Sequence, residues 1–336
     1  MDLFPIELWL QIAPLACTDG GYTARSLQLV SRQMRDVVEP TRFTSVSLTT
    51  ERQLLALSRF LPRDEQETSP RPSICIRYLL VAVRVPYWGN SDAEEKERRM
   101  RLHEALRSLL TTAAPTVQAL TLFNSCLDII GSDVTFPLLE DLCIGRFNAC
   151  AGDFPLLPSL RRLHISQEDC WGTFWPQLTQ LAPPLTHIRL TGVSQDADFP
   201  RLLRFLLGLR NPGVTEDIEL SRLRCVIAEP LEDKRCCNIA IVKALVRAVV
   251  EECKQGAGRG MLYVLPDIVE YPVSEAQREW LELVEGGNGP WATPEERAAR
   301  PLPPPAVVHK RTMTDRINSA LRTAQNNLRS RMRGGK

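Results

Sequence analysis

One short pattern, apolar-x-x-apolar-x-apolar, recurs through the middle of the chain and limits its fold more than any other feature. It occurs at Val117, Leu120, Leu122, at Leu139, Leu142, Ile144, at Leu160, Leu163, Ile165, and at Leu185, Ile188, Leu190. Measured at the middle residue, positions 120, 142, 163 and 188, successive copies lie 22, 21 and 25 residues apart. A period of about 20–29 residues is that of stacked strand-plus-connector units. Alternation places the two closing apolar residues on one strand face. So short a unit cannot bury that face alone, and stacking on its neighbours does so. Pro115, Pro137, Pro158 and Pro183 each stand five residues before the marker. Proline there ends the preceding segment and aims the chain into the strand, lacking only an N–H that no ladder yet needs. Weaker copies stand at Phe43, Val46, Leu48, at Ile76, Leu79, Val81, and at Thr215, Ile218, Leu220. The four strong copies also suit an α/β domain with four Leu-rich strands.

The segment before the repeats reads as helical. Pro5 followed by Glu7 opens a helix carrying Ile6, Leu8, Trp9, Ile12 and Leu15. Asp19-Gly20-Gly21 breaks it, and a second run carries Leu27, Leu29, Val30, Met34, Val37 and Val38 until Pro40 stops it. Two short helices cannot bury this much apolar surface by themselves. They require a further layer, from this chain or from a partner.

These residues carry a resemblance. Leu3-Phe4-Pro5-Ile6-Glu7-Leu8, Ile12, the run Leu27-Gln28-Leu29-Val30-Ser31-Arg32-Gln33-Met34-Arg35, and Pro40-Thr41-Arg42-Phe43 together resemble an F-box. The closing stretch is similar to the F-box-like proteins of mushroom-forming fungi. The likeness covers residues 1–48. It departs from the family in Phe4, which separates Leu3 from Pro5, and in Met34, which occupies a region where the family has Trp. The units that follow resemble the irregular leucine-rich repeats often found after a fungal F-box, here without the repeat asparagine: Ser125, Phe147, Glu168 and Val193 stand in its place. The same first residues also suit a plain cap on the repeats.

The expected fold is therefore α/β: a short helical F-box over 1–48, then an irregular leucine-rich-repeat solenoid over 49–225 with parallel strands on its concave side. Ser91 with Glu94 makes a capping box for a helix bearing Leu102, Leu106, Leu109 and Leu110. Over 226–289 an apolar helix (Ile239 to Cys253, ended by Gly256), a strand from Met261 to Leu265 and a helix opening at Ser274 read as a cap closing the solenoid. A Pro-rich linker spans 290–308. The basic segment 309–336 follows, with Met313, Ile317, Ala320, Leu321, Ala324, Leu328 and Met332 on one helical side. It holds eight Lys and Arg against Asp315, a net +7, which leaves −6 on the rest of the chain. Such a tail is disordered, or a helix able to lie on an anionic membrane, a nucleic acid or an acidic protein.

No run of eighteen apolar residues occurs, Met1–Leu10 lacks the cations of a signal peptide, and none of the ten Cys forms a CxxC pair. The expectation is a cytoplasmic or nuclear protein with reduced thiols. No HExxH, GxSxG, GxxxxGK[ST] or GxGxxG is present. A Cys–His pair is possible among four His, but no spacing selects which Cys. The expectation is thus a non-catalytic protein with no metal, cofactor or small-molecule substrate.

The repeats offer a surface instead. Strand positions alternating with the leucines face the concave side. They include Asp141, Arg162, His164, His187, Arg189, Asp217 and Glu219, a ribbon passing from basic to acidic that could capture a protein substrate. The resemblance implies that Leu3, Pro5, Ile6, Leu8, Ile12, Leu29, Val30 and Met34 dock on the Skp adaptor of a cullin-based ubiquitin ligase, with the repeats binding the substrate. The alternative is a leucine-rich scaffold outside any ligase, tethered by its basic tail.

Overall fold

The computed structural model describes residues 5–61, 74–83, 93–123, 134–145, 155–166, 178, 180, 182–194, 198–209, 222–231, 239–256, 260–268 and 271–299. Met1–Pro294 forms one compact unit and Glu295–Lys336 a second. The first is an α/β body built on one sheet of eight parallel strands: β1 (Ser45–Leu48), β2 (Tyr78–Val81), β3 (Ala119–Leu122), β4 (Asp141–Ile144), β5 (Arg162–Ser166), β6 (His187–Val193), β7 (Cys225–Pro230) and β8 (Met261–Val264). The strands lie side by side in sequence order, each paired with its predecessor. The helices of the described residues are α1 (Ile6–Ala16), α2 (Tyr22–Gln28), α3 (Arg32–Val38), α4 (Glu51–Phe60), α5 (Ala93–Ala113), α6 (Asp198–Leu206), α7 (Ile239–Lys254), α8 (Val273–Val284) and α9 (Pro294–Ala298).

The marker residues form one row across the sheet. Val46 stands opposite Leu79, then Leu120, Leu142, Leu163, Ile188, Val226 and Leu262, without a slip. With Leu48, Val81, Leu122, Ile144, Ile165, Leu190 and Ala228 they make the first face of the sheet. Against it pack Leu54 of α4, Leu102, Leu106 and Leu109 of α5, Phe199 and Leu203 of α6, and Val242 and Val249 of α7. All but Leu262, which is half-buried at the end of the row, are buried in one continuous core.

The prolines explain how each short unit enters its strand. Leu139 N–H donates to Phe136 O at 3.4 Å, Leu160 N–H to Leu157 O at 3.1 Å, and Leu185 N–H to Ala182 O at 3.1 Å. Pro137, Pro158 and Pro183 therefore sit at the second position of a four-residue turn, where their fixed φ is pre-set. Pro115 differs, lying in the last turn after α5.

Several expectations need correction. The second N-terminal run is two helices, because Ser31 takes an extended backbone and its hydroxyl accepts from Met34 N–H at 3.0 Å, starting α3 afresh. The neighbour of β6 is β7, built on Leu223, Val226 and Ala228, and not a strand at 215–220. Residues 215–220 lie outside those described, as do Leu3, Ser91 and the tail 309–336. α8 starts at Val273, after Pro272 and without a side-chain cap. The segment 226–289 does not close the end of the sheet: β7 and β8 extend it, and the chain then turns back over the second face. Nor does the linker begin at 290, since Pro290 and Trp291 are buried in the body. Trp291 joins Cys225, Ile227 and Leu265 in a small core of its own.

α1–α3 form a separate cluster of Ala13, Cys17, Ala24, Met34, Val37 and Val38. The loop leaving α1 is pressed on β1. Gly20 N–H donates to Ser45 Oγ at 3.1 Å, and Ser45 Oγ donates to Thr18 O at 2.8 Å. A side chain at Gly20, whose φ is +75°, would stand 2.8 Å from Ser47 Cβ.

Burial separates two leucines of adjacent connector and strand. Leu163 is 1% exposed in the marker row and Leu156 is 52% exposed. Leu163→Ala is expected to cost about 2–5 kcal/mol by opening a cavity. Leu156→Ala should change stability by no more than about 0.5 kcal/mol. Urea unfolding of the two variants checks this, and equal losses would contradict the one-row core.

Candidate functional site

The second sheet face carries the alternate strand residues, and they are polar where the first face is aliphatic. Register places Thr121, Cys143, His164, Arg189 and Ile227 in one row, and Ala119, Asp141, Arg162, His187 and Cys225 in the next. Neighbours in such a row are about 4.8 Å apart. The expected residues Asp141, Arg162, His164, His187 and Arg189 are thus brought together. They do not form an open ribbon. The segment Tyr271–Ala292, with α8 at its centre, lies over them and closes the face. Tyr271, Ala276, Trp280 and Val284 bury against Leu80, Ala82 and Phe123. His164 and Arg189 are wholly buried, Asp141 nearly so, and Arg162 and His187 are half-buried at the margin. Asp217 and Glu219 lie outside the described residues; beside β6 the acidic residue is Glu229 of β7.

At the centre of this covered face Arg189 joins three segments. Its Nη1 donates to Glu279 Oε2 of α8 at 2.6 Å and to Pro290 O at 3.2 Å, and its Nη2 donates to Glu229 Oε2 at 2.7 Å. Tyr271 O–H donates to the same Glu279 oxygen at 2.6 Å, and the Tyr271 ring stands 5.5 Å from the guanidinium. Burial opposes the Arg189 charge. The Glu279, Tyr271 and Glu229 groups around it outweigh that penalty and hold its pKa above the ordinary arginine value. Burial, then Glu279, push the Tyr271 hydroxyl well above its usual range, so it stays a donor.

A second chain of contacts runs into the same node. Cys143 Sγ lies 3.3 Å from His164 Nδ1, His164 Nε2 lies 2.9 Å from Thr191 Oγ1, and Thr191 O–H donates to Glu229 Oε2 at 3.3 Å. The carboxylate fixes the directions. Thr191 gives its only proton to Glu229, so it accepts from His164 Nε2–H, which leaves Nδ1 as acceptor for the Cys143 thiol. This is the Cys–His pair that no spacing could single out, and its chemistry is structural. Burial, reinforced by Glu279, pushes the Cys143 thiol up to about 12. It remains a neutral donor under a sealed face, whereas a nucleophilic cysteine needs a lowered pKa and access. At the margin Arg162 Nη2 donates to Asp141 Oδ2 at 2.5 Å, yet burial still raises the Asp141 carboxyl above its usual value. Among the described residues no group of three His, Cys, Asp or Glu is placed to hold a metal, and no helix is long and apolar enough to cross a membrane.

Sequence reasoning missed Glu279, Tyr271, Glu229, Thr191 and Trp291, whereas strand alternation does put Cys143 on this face beside Asp141. Thr191 and Glu229 could have been found from the same alternation once β7 was placed. Glu279 and Tyr271 carried no signal, because an acid on an amphipathic helix reads as solvent-facing.

The other candidate surface is at the N-terminus. Ile6, Leu8, Leu10, Ile12 and Leu15 of α1 and Leu29 and Val30 after α2 are all exposed, Leu15 and Leu29 by about 80% (79% and 80%). Pro5, Ile6, Leu8, Ile12, Leu29 and Val30 therefore stand at the surface. Met34 does not: at 3% exposed it belongs to the cluster beneath, because the helix start at Ser31 turns it inward. A helix apolar on nearly every side belongs in a core. Within the described residues α1 buries only Ala13 fully, with Trp9 half-covered.

Compared with protein-family models, with curated proteins and with solved structures, the chain matches none.

Two measurements test the covered face. Glu279→Ala strands a buried guanidinium and is expected to cost about 3–5 kcal/mol in urea unfolding, whereas Arg189→Met with Glu279→Leu should cost far less. A cost below that of a surface substitution would remove the node's role. His187 supplies a pH dependence: burial, then Arg162 and Arg224, lower its pKa below 6.5. The unfolded chain then binds the proton more readily, so stability falls as pH drops below about 6.5. The raised Asp141 carboxyl acts with opposite sign and in a lower window. His187→Gln should flatten the loss between neutral and mildly acid pH, and an unchanged slope would exclude His187 as its source.

Proposed function

We propose that this protein is a non-catalytic adaptor of an F-box type, whose N-terminal helices dock on the Skp adaptor of a cullin-based ubiquitin ligase and whose leucine-rich-repeat body presents a substrate protein. The observation that carries the proposal is the apolar surface of α1 and the α2–α3 connection. Its exposed residues coincide with most positions that the F-box resemblance assigns to docking. The helices beneath have their own small core, so the outer residues are not needed to hold them together. Full burial of a leucine or isoleucine contributes about 1.5–3 kcal/mol. Several such residues covered at once supply a stable complex even after the cost of association.

The sequential parallel sheet with its repeating register supports the solenoid half of the proposal. The closure of the second face moves substrate recognition off the buried ribbon. What remains accessible there is the margin, Arg162 and His187, which makes Asp141, His164 and Arg189 supporting residues instead of contacts. No bond chemistry is assigned to the chain; holding a substrate beside a recruited enzyme raises its effective concentration. Its place in the cell under this reading is cytoplasmic or nuclear, and no cofactor is required.

The test is co-expression with the Skp adaptor. Complex formation is expected with the full chain and not with a chain lacking residues 1–48. Leu8→Ala with Ile12→Ala is expected to weaken binding by about 3 kcal/mol or more while leaving the melting temperature near that of the parent. Unchanged affinity in that double variant would sink the proposed contact surface. Failure of the folded parent to bind at all would leave a repeat scaffold outside any ligase.

A further inference from the structure

Cations gather at the margin of the covered face, where the chain enters β5, β6 and β7. Thr186 N–H donates to Arg161 O and Arg224 N–H to Thr186 O, each at 2.8 Å. Arg161, Thr186 and Arg224 therefore stand in one row before the strands, and Arg162, His187 and Cys225 form the next. The ends of each row are two strand spacings, about 10 Å, apart. Arg161 and Arg224 are exposed, and neither has an ion-pair partner among the described residues. Arg162 is bonded to Asp141 on its β4 side, with 30% of its side chain still exposed.

His187 stands in the middle of this group. The Thr186 hydroxyl donates to Arg161 O at 3.0 Å and so accepts from His187 Nδ1–H at 2.8 Å. Nε2 is left as the ring nitrogen without a partner among the described residues. Behind the imidazole the Trp291 ring stands edge-on at 6.2 Å, and the Arg162 guanidinium lies 5.8 Å from the same ring. Charge reaches His187 from both neighbouring strands, Arg162 on β5 and Arg224 on β7, and after burial both lower its pKa. Cys225, also on β7, is a neutral thiol that burial pushes up to about 11. Trp291, from the return over the face, brings no charge.

We propose that this margin binds a short acidic segment of a protein, one carboxylate seating on His187 Nε2–H between Arg162 and Arg224 and a neighbouring carboxylate meeting Arg161. The inference deepens the reading of the body as a substrate-presenting surface, and rests on that reading only for the ligand being a protein. Charge selects an anion, since three guanidiniums face one carboxylate, Asp141, across β5 to β7 and its border. Extent selects a short segment over a nucleic acid. Glu140 bounds the basic row on the β4 side, and on the β8 side the row ends at Gly260, where a side chain would stand 2.9 Å from Arg224 O. Three strands of positive surface match one or two carboxylates, whereas nucleic-acid binding draws on a longer series of phosphate contacts. The guanidinium fork suits the two oxygens of a carboxylate.

Binding is linked to a proton. In the neutral ring Nε2 carries a lone pair, so His187 must be protonated to donate to the anion, and the anion in turn offsets the two arginines that oppose its charge. The bound state thus raises the His187 pKa. Affinity is greatest below the pKa of the free protein and falls as pH rises through that of the complex.

The test is a titration of the full chain with an end-blocked hexaglutamate peptide, followed by NMR at the His187 and Trp291 rings. Reading those two rings separates the site from the basic tail, which also attracts acids. Saturable shifts are expected at both rings, with affinity rising about fivefold or more from about pH 7.5 to about pH 6. Arg224→Gln should weaken binding about tenfold, and Lys254→Gln, on an exposed turn of α7, should leave it unchanged. His187→Gln keeps a side-chain donor and should abolish the pH dependence, read at Trp291. Adaptor binding is measured on the same preparation: hexaglutamate at these rings without adaptor binding supports this site and fails only the ligase reading. No saturable shift at about pH 6, equal losses in Arg224→Gln and Lys254→Gln, a pH dependence that survives His187→Gln, or tighter seating of a hexathymidylate at the same rings would each overturn the proposal.

Discussion

A parallel sheet must be buried on both faces, and this body meets that requirement in two unlike ways. The first face is aliphatic, and its register carries one apolar residue from every strand into a single row under α4 to α7. The second face is covered by the chain's own return, Tyr271 to Ala292. That return is fixed by one cation. Arg189 sits at 0% exposure with Glu279 from α8, Glu229 from β7 and the Pro290 carbonyl around it, so it ties the returning segment to the middle of the sheet. An unpaired buried charge costs several kcal/mol, which makes this a requirement of the covered state and not a decoration on it.

The covering explains why the polar residues of β4 to β6 behave as structure. On an open face Asp141, His164 and Arg189 would be solvated groups available to a ligand. Under α8 burial raises the Asp141 carboxyl above its usual value. The Cys143 thiol is driven up and held neutral, His164 is locked into one tautomer by Thr191, and Arg189 stays charged only because carboxylates surround it. The same geometry that assembles a Cys–His pair therefore withholds from it the lowered thiol pKa that nucleophilic chemistry demands.

How much of this was legible in the sequence depends on the range of the contact. The repeat register was legible because strand period, turn proline and marker spacing are local, and each of Pro137, Pro158 and Pro183 fixes its own turn. The helix carrying Leu102, Leu106 and Leu109 was legible for the same reason. The return over the second face was not, because Glu279 meets Arg189 across ninety residues and nothing in an amphipathic helix says which acid turns inward. The seventh strand was misplaced for a related reason. A weak copy was read at Ile218, the copy at Leu223, Val226 and Ala228 was not read, and pairing with β6 places the strand there. At the N-terminus Ile6, Leu8, Ile12, Leu29 and Val30 stand exposed, but Met34 turns inward because Ser31 caps a new helix.

Burial also locates what the body leaves unfinished. The sheet faces are covered, and Arg189 is tied to three segments through Nη1 and Nη2 while its Nε is left without a hydrogen-bond partner. Large apolar side chains remain outside on α1 and its neighbour loop, and on β8 with α7. These two surfaces differ in kind. On α1 only side chains are offered, every backbone amide of a helix interior being already bonded, so recognition there depends on shape and apolar area. At β8 the backbone itself is offered, and a ladder accepts any extended chain that alternation and charge permit.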